Sequence, residues 1–96
     1  MREPIGENVL VTGDAHVQEY SRTFDGLEIH VVLWDETIRR IRAVGVGALH
    51  DIGTWECDAL VRYPSLDEGD RQGYAVIDTD GIPTLTFAAS ELDLGS

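Results

Sequence analysis

Ninety-six residues, 43% of them hydrophobic, set the scale of one domain with one apolar core. A single cysteine, Cys57, excludes an internal disulfide and a zinc knuckle built from thiolates alone. Eighteen acids against seven bases give a formal charge of −11, which at ordinary ionic strength argues against DNA, RNA and anionic membranes as partners.

All seven bases are arginine (Arg2, Arg22, Arg39, Arg40, Arg42, Arg62 and Arg71), and lysine is absent. A GC-rich genome accounts for the missing lysine but not for the acid excess. Adaptation to multimolar salt accounts for both, because acidic surfaces hold water there and lysine, with its apolar stem, is avoided. The expectation is a halophilic source, where acidity says little about partners. No apolar run approaches the roughly 18 residues of a membrane span. The opening MREPIGENVLVTGD carries no apolar signal segment. The expected location is the cytoplasm or a virion.

Residues 1–7 hold Pro4 and Gly6 and read as a loose arm. From Asn8 to Tyr20, Val9, Val11, Ala15 and Val17 mark a strand, with a bulge or tight turn at Gly13-Asp14. Asp25-Gly26 is a hairpin signal. Leu27, Ile29, Val31 and Leu33 then alternate with Glu28, His30, Val32 and Trp34, and the apolar second half predicts a central strand covered on both faces. Over residues 36–44 the expected element is a short helix. Asp35 can cap it, Arg39, Arg40 and Arg42 fall toward its C-terminal end, and Gly45 can stop it. A strand is the alternative there.

His50-Asp51-Ile52-Gly53 reads as a turn. Trp55, Cys57, Ala59 and Val61 form the next alternating run, which Pro64 ends. Ser65 to Gln72 is expected to be a charged, mobile loop. Gln72 to Leu92 is the clearest stretch. Tyr74 and Val76 alternate before Asp78-Thr79-Asp80-Gly81, and Leu85 and Phe87 alternate after it, which predicts a hairpin. A short turn over Ala89-Ser90-Glu91-Leu92 then tucks Leu92 back, and residues 93–96 form a polar tail. The expected core is Val9, Val11, Val17, Leu27, Ile29, Val31, Leu33, Ile38, Ile41, Trp55, Ala59, Val61, Tyr74, Val76, Leu85, Phe87 and Leu92.

Few residues suggest chemistry. His16, His30, His50 and Cys57 lack paired ligand spacing. Cys57 and His50 flank one turn, but Cys57 shares the alternating face of Ala59 and Val61 and reads as a small hydrophobe. Asp78-x-Asp80-Gly81 begins like a calcium loop without its later ligands. Asp67-Glu68-x-Asp70 reads as a solvated face. No phosphate-cradling glycine loop or nucleophile elbow is present. No catalytic residue, metal or cofactor is expected.

Leu33-Trp34-Asp35-Glu36-Thr37, followed by Ile41-Arg42-Ala43, resembles the turn between the second and third strands of OB-fold proteins of the single-strand-binding type. It departs from that pattern at Ile38, where a glycine normally follows the threonine. The resemblance implies phosphate contacts from Arg39, Arg40 and Arg42 and base stacking on Trp34, Tyr20 or Phe24. Gly73-Tyr74-x-Val76, Asp80-Gly81 and Phe87-x-x-Ser90-x-Leu92 resemble the last hairpin and final turn of SH3-like barrels, many of which bind or scaffold proteins.

The expected fold is thus mainly β: a single domain over residues 1–96, a small barrel or curled antiparallel sheet of five to six strands, SH3-like or OB-like, with one short helix near 36–44. The leading functional expectation is a non-catalytic interaction or assembly module that joins other protein subunits as a homo-oligomer or hetero-complex. The alternative is an OB-like protein binding single-stranded nucleic acid. An enzyme acting on a small molecule comes last.

Overall fold

A strand with β-branched residues on one face buries that face and leaves the other to polar side chains. The computed structural model, which describes residues 6–24, 26–51 and 56–94, follows that rule through most of the chain. Its strands are β1 (Asn8–Arg22), β2 (Gly26–Val32), β3 (Ile38–Val44), β4 (Gly47–Asp51), β5 (Glu56–Arg62), β6 (Gln72–Ile77), β7 (Pro83–Ala89) and β8 (Glu91–Asp93), with one 3-10 turn at Pro64–Leu66. These eight form one antiparallel sheet in the order β4-β7-β6-β5-β1-β2-β3-β8. Among the described residues the count therefore exceeds the five to six expected.

The sheet is not closed into a barrel, since β4 and β8 are the ends of its order. It is nevertheless curled. One apolar cluster draws buried side chains from β1, β2, β3, β5, β6 and β7, including Val17, Ile29, Ile41, Leu60, Val76 and Phe87. A single sheet can enclose such a cluster only by bending around it. The Tyr20 hydroxyl on β1 donates to Asp51 Oδ2 on β4 at 2.6 Å, joining a middle strand to an end strand. Tyr74 and Phe87 stack obliquely within the core, their centroids 5.6 Å apart.

Two interruptions produce the curl. β1 bulges between Val11 and Ala15, with Gly13 at φ +66°; Asn8 to His16 pair with β5 on both sides of the bulge, and His16 to Arg22 pair with β2. At the other end, β3 breaks into β4 at Gly45 and β7 breaks into β8 at Ser90. The two breaks face each other. The Val44 carbonyl accepts the Ser90 N–H at 2.9 Å and the Ser90 hydroxyl at 3.0 Å. Gly45 lies at φ +68°, and the Ser90 hydroxyl fills the space that a Cβ would need there.

The helix expected near 36–44 is the strand β3. Asp35 Oδ1 accepts the Thr37 N–H at 3.1 Å, closing an Asx turn rather than capping a helix. Glu36 sits at φ +68°, which a first helical turn does not allow. Beyond the turn, Ile41 and Ala43 point to the core while Arg40, Arg42 and Val44 point to solvent, a period of two. Seven residues of β3 pair with β2, from Ile38↔Val32 to Val44↔Gly26, and three pair with β8. Pairing on both sides outweighs the weak local preference for helix.

Other expectations shift for local reasons. β2 is not covered on both faces: Leu27, Ile29 and Val31 are buried, while Glu28, His30 and Val32 are half-buried. Val11 is 63% exposed, because the bulge breaks the parity that joins it to Val17. Gly6 and Glu7 are not loose: Gly6 N–H donates to the Arg62 carbonyl at 2.8 Å, and Arg62 N–H donates to the Glu7 carbonyl at 2.9 Å. His50 and Asp51 belong to β4; Ile52 and Gly53 of the expected turn, and Trp55, lie outside the described residues. The final hairpin forms as expected, but past Ser90 the chain becomes β8 and Leu92 packs half-buried against the core.

The charged segment after Pro64 is pinned. Asp67 receives the Arg62 guanidinium on both oxygens, at 3.2 and 3.1 Å, and the Gly73 N–H at 2.7 Å. These two donors hold the Asp67 carboxyl below the usual aspartate range, the Arg62 fork contributing most.

Candidate interaction surface

The three arginines of the basic cluster share one strand but not one role. Arg39 is half-buried on the core-facing parity of β3, and its Nε donates to the Leu94 carbonyl at 2.9 Å. Arg42 projects outward, and its Nε lies 3.4 Å from Glu28 Oε2, the residue opposite it on β2. Arg40 also projects outward and makes no ion pair among the described residues. Leu33, Thr37 and Ile38, these three arginines and Asp93 line a shallow depression of about 540 Å³.

Beside it runs a chain of charge across β1, β2 and β3. Glu19 Oε1 lies 3.1 Å from His30 Nδ1, and Glu28 Oε1 lies 2.7 Å from His30 Nε2. Both contacts are hydrogen bonds only when both ring nitrogens carry protons. The His30 contact, aided by Arg42 and Arg40, holds the Glu28 carboxyl below the usual glutamate range. Register accounts for the assembly: Glu19 faces His30, Glu28 faces Arg42, and His30 faces Arg40. Cross-strand neighbours on one face lie within ion-pair reach.

The aromatic residues expected to stack bases do not gather around this cluster. Trp34 sits in the turn before β3 and is 79% exposed. Phe24 is fully exposed in the turn before β2, at the opposite end of that strand. Tyr20 packs against the core, and its hydroxyl is engaged by Asp51, which pushes the phenol above its ordinary range. Trp34 thus shares one end of the sheet with Arg39 and Arg40, while Phe24 and Tyr20 lie away from it.

The remaining candidates stay scattered. Among the described residues, no three His, Cys, Asp or Glu side chains converge on a common point. Cys57 is buried, and its sulfur lies 3.3 Å from Thr12 Oγ1, which donates to the Cys57 carbonyl at 3.0 Å. Burial raises the thiol above its ordinary range, Asp58 adds to this, and the Thr12 contact opposes it. Asp78 Oδ1 accepts the N–H groups of Asp80 and Ile82, both at 2.9 Å, so it serves the turn.

Sequence reasoning singled out the arginines but missed Ile38 as a surface residue. It is 49% exposed and stands on the same face as Arg40. Its spacing from Ile41 suggested a shared helical face, whereas in a strand residues three apart point opposite ways. Among the described residues no helix is long and apolar enough to cross a membrane. No family model, curated protein or solved structure matches the chain.

Proposed function

We propose that the protein is a non-catalytic interaction module that assembles with other protein subunits, from a salt-adapted source. One observation carries this reading. Trp34 and Ile38, 79% and 49% exposed, stand at the start of β3, beyond the part of that strand that pairs with β8 among the described residues. Large apolar side chains clustered at a strand edge favour association with another chain. The test is sedimentation velocity across a concentration series in 2 M KCl. Concentration-dependent association that weakens in Trp34→Ala supports the reading; a monomer at every concentration, with no complex formed with co-purified cellular partners, overturns it.

Single-stranded nucleic-acid binding is the second reading, favoured by Arg40, which makes no ion pair among the described residues, with Trp34 at the same end of β3. The engagement of Arg39, Arg42 and Tyr20 within the chain weighs against it. Filter binding over a salt series decides. Replacing Arg39, Arg40 and Arg42 together with Gln leaves oligonucleotide retention unchanged under the assembly reading. Under the nucleic-acid reading it lowers both affinity and salt slope.

A further inference from the structure

The turn between β2 and β3 carries an apolar patch with opposite charges on its two sides. Val32 on β2 pairs with Ile38 on β3, and both stand on the outward face of the sheet. Ile38 is exposed, as is Trp34 in the turn. On the turn side of this row are Asp35 and Glu36, both exposed. The turn holds them in place: Leu33 N–H donates to the Thr37 carbonyl at 2.8 Å, and Glu36 N–H to the Leu33 carbonyl at 2.9 Å. Contacts from Thr37 keep the Asp35 carboxyl below the usual aspartate range, so it is charged at neutral pH. On the other side, one row along, Arg40 is exposed and makes no ion pair among the described residues. The patch is built of outer-face side chains and not of the backbone edge of β3.

The order of the charges selects the partner. Asp35 and Glu36 precede Ile38 in the chain, and Arg40 follows it. A basic partner, which the net charge of −11 attracts from a distance, meets Arg40 at the patch. An acidic partner meets Asp35 and Glu36. A second copy turned about a two-fold axis presents both signs in reverse order, since such a contact sets residue i against j and j against i. Glu36 lies two positions before Ile38 and Arg40 two after, so an axis at Ile38 sets Glu36 of each copy against Arg40 of the other. The net charge opposes two copies at low salt. That repulsion acts across solvent and is screened to a range of about 3 Å at 1 M salt, whereas charges in partly buried contact are screened less.

Resting on the assembly reading above, we propose that the partner at this patch is a second copy of the chain. The two copies join face to face about a two-fold axis at Ile38. Two Glu36–Arg40 pairs flank an apolar contact made by Val32, Trp34 and Ile38 of both copies. The apolar contact supplies the attraction, and the two charge pairs fix the orientation.

The test is sedimentation equilibrium of the full chain in 1 M KCl, with circular dichroism confirming that each variant is folded. The substituted positions are all exposed, so the fold is expected to survive. The expected result is a monomer–dimer equilibrium that Ile38→Asp abolishes. Arg40→Glu and Glu36→Arg each weaken it about tenfold, because two like-charged contacts replace two opposite ones. An equimolar mixture of these two variants restores the parent association, since each copy then offers the charge that the other needs. The chain carrying both substitutions restores it as well. A mixture that associates no better than the single variants overturns the inference. Association that persists in Ile38→Asp overturns it too, while leaving the assembly reading intact. So does a chain that stays monomeric alone yet forms a complex with other cellular proteins. Absence of association of either kind overturns both.

Discussion

Replacing Phe87 with alanine is expected to bring the domain to the edge of unfolding. Phe87 is fully buried on β7, and its ring contacts that of Tyr74. Removing a buried Phe side chain costs about 3–5 kcal/mol in transfer and cavity terms. The lost ring pair alone accounts for about 0.5–1.5 kcal/mol beyond burial. A loss near 4 kcal/mol is thus expected, against a total stability of roughly 5–14 kcal/mol at this chain length. With an unfolding entropy of about 0.2 kcal/mol/K for such a domain, the melting midpoint drops by roughly 20 °C. Urea unfolding followed by far-UV circular dichroism measures the loss, with an unchanged slope confirming that only stability moved. Phe87→Leu refills part of the space and should cost about 1.5 kcal/mol or less. A loss under about 1 kcal/mol for Phe87→Ala would show that β7 does not carry the core.

Asp67 gives a pH signature. Its folded-state pKa is lowered, so it contributes stability above the ordinary aspartate pKa of about 3.9 that is lost as pH falls through its folded value. Stability measured by urea between pH 5 and 2 should fall less steeply in Asp67→Asn than in the parent; parallel curves would refute this. Cys57 should react with a chromogenic disulfide at pH 8 far more slowly in the folded chain than in 8 M urea, since it is buried and its thiol is raised. Equal rates would place the sulfur at the surface. The charge of −11 predicts a melting midpoint that rises markedly from 0.1 to 2 M KCl, as the Debye length shrinks from about 10 Å to under 3 Å. A shift of only a degree or two would remove the salt-adaptation reading.

Legibility varied with how local the deciding force was. Leu27, Ile29 and Val31, and the run from Tyr74 to Phe87, alternate cleanly because each strand buries one face throughout. β3 misled because Ile38 and Ile41 are three apart, and because Arg39 looked like one of three equivalent surface cations. Its carbonyl partner, Leu94, lies 55 positions further along the chain. Val11 misled because the bulge, visible as Gly13-Asp14, reverses parity. Cys57 and Ala59, of one parity, belong to different apolar clusters and pair with Ala15 and Val11, on the two sides of the bulge. The arginines could be found from composition alone, but which of them lacks an ion pair among the described residues depends on register, and register is set by distant strands.

The meeting of Gly45 with Ser90 joins segments that are far apart in the chain. β1, β2 and β3 form a local meander that can pair as soon as Val44 is synthesised, yet its apolar face has nothing to cover it until β5, β6 and β7 follow. The seam of β3 with β8 joins Arg42 to Asp93, 51 positions further along. Topologies dominated by such distant pairings fold in milliseconds to seconds rather than microseconds. A nascent chain halted after β3 would therefore hold Leu27, Ile29 and Ile41 open to solvent, and would be a client for a chaperone until β5, β6 and β7 had emerged.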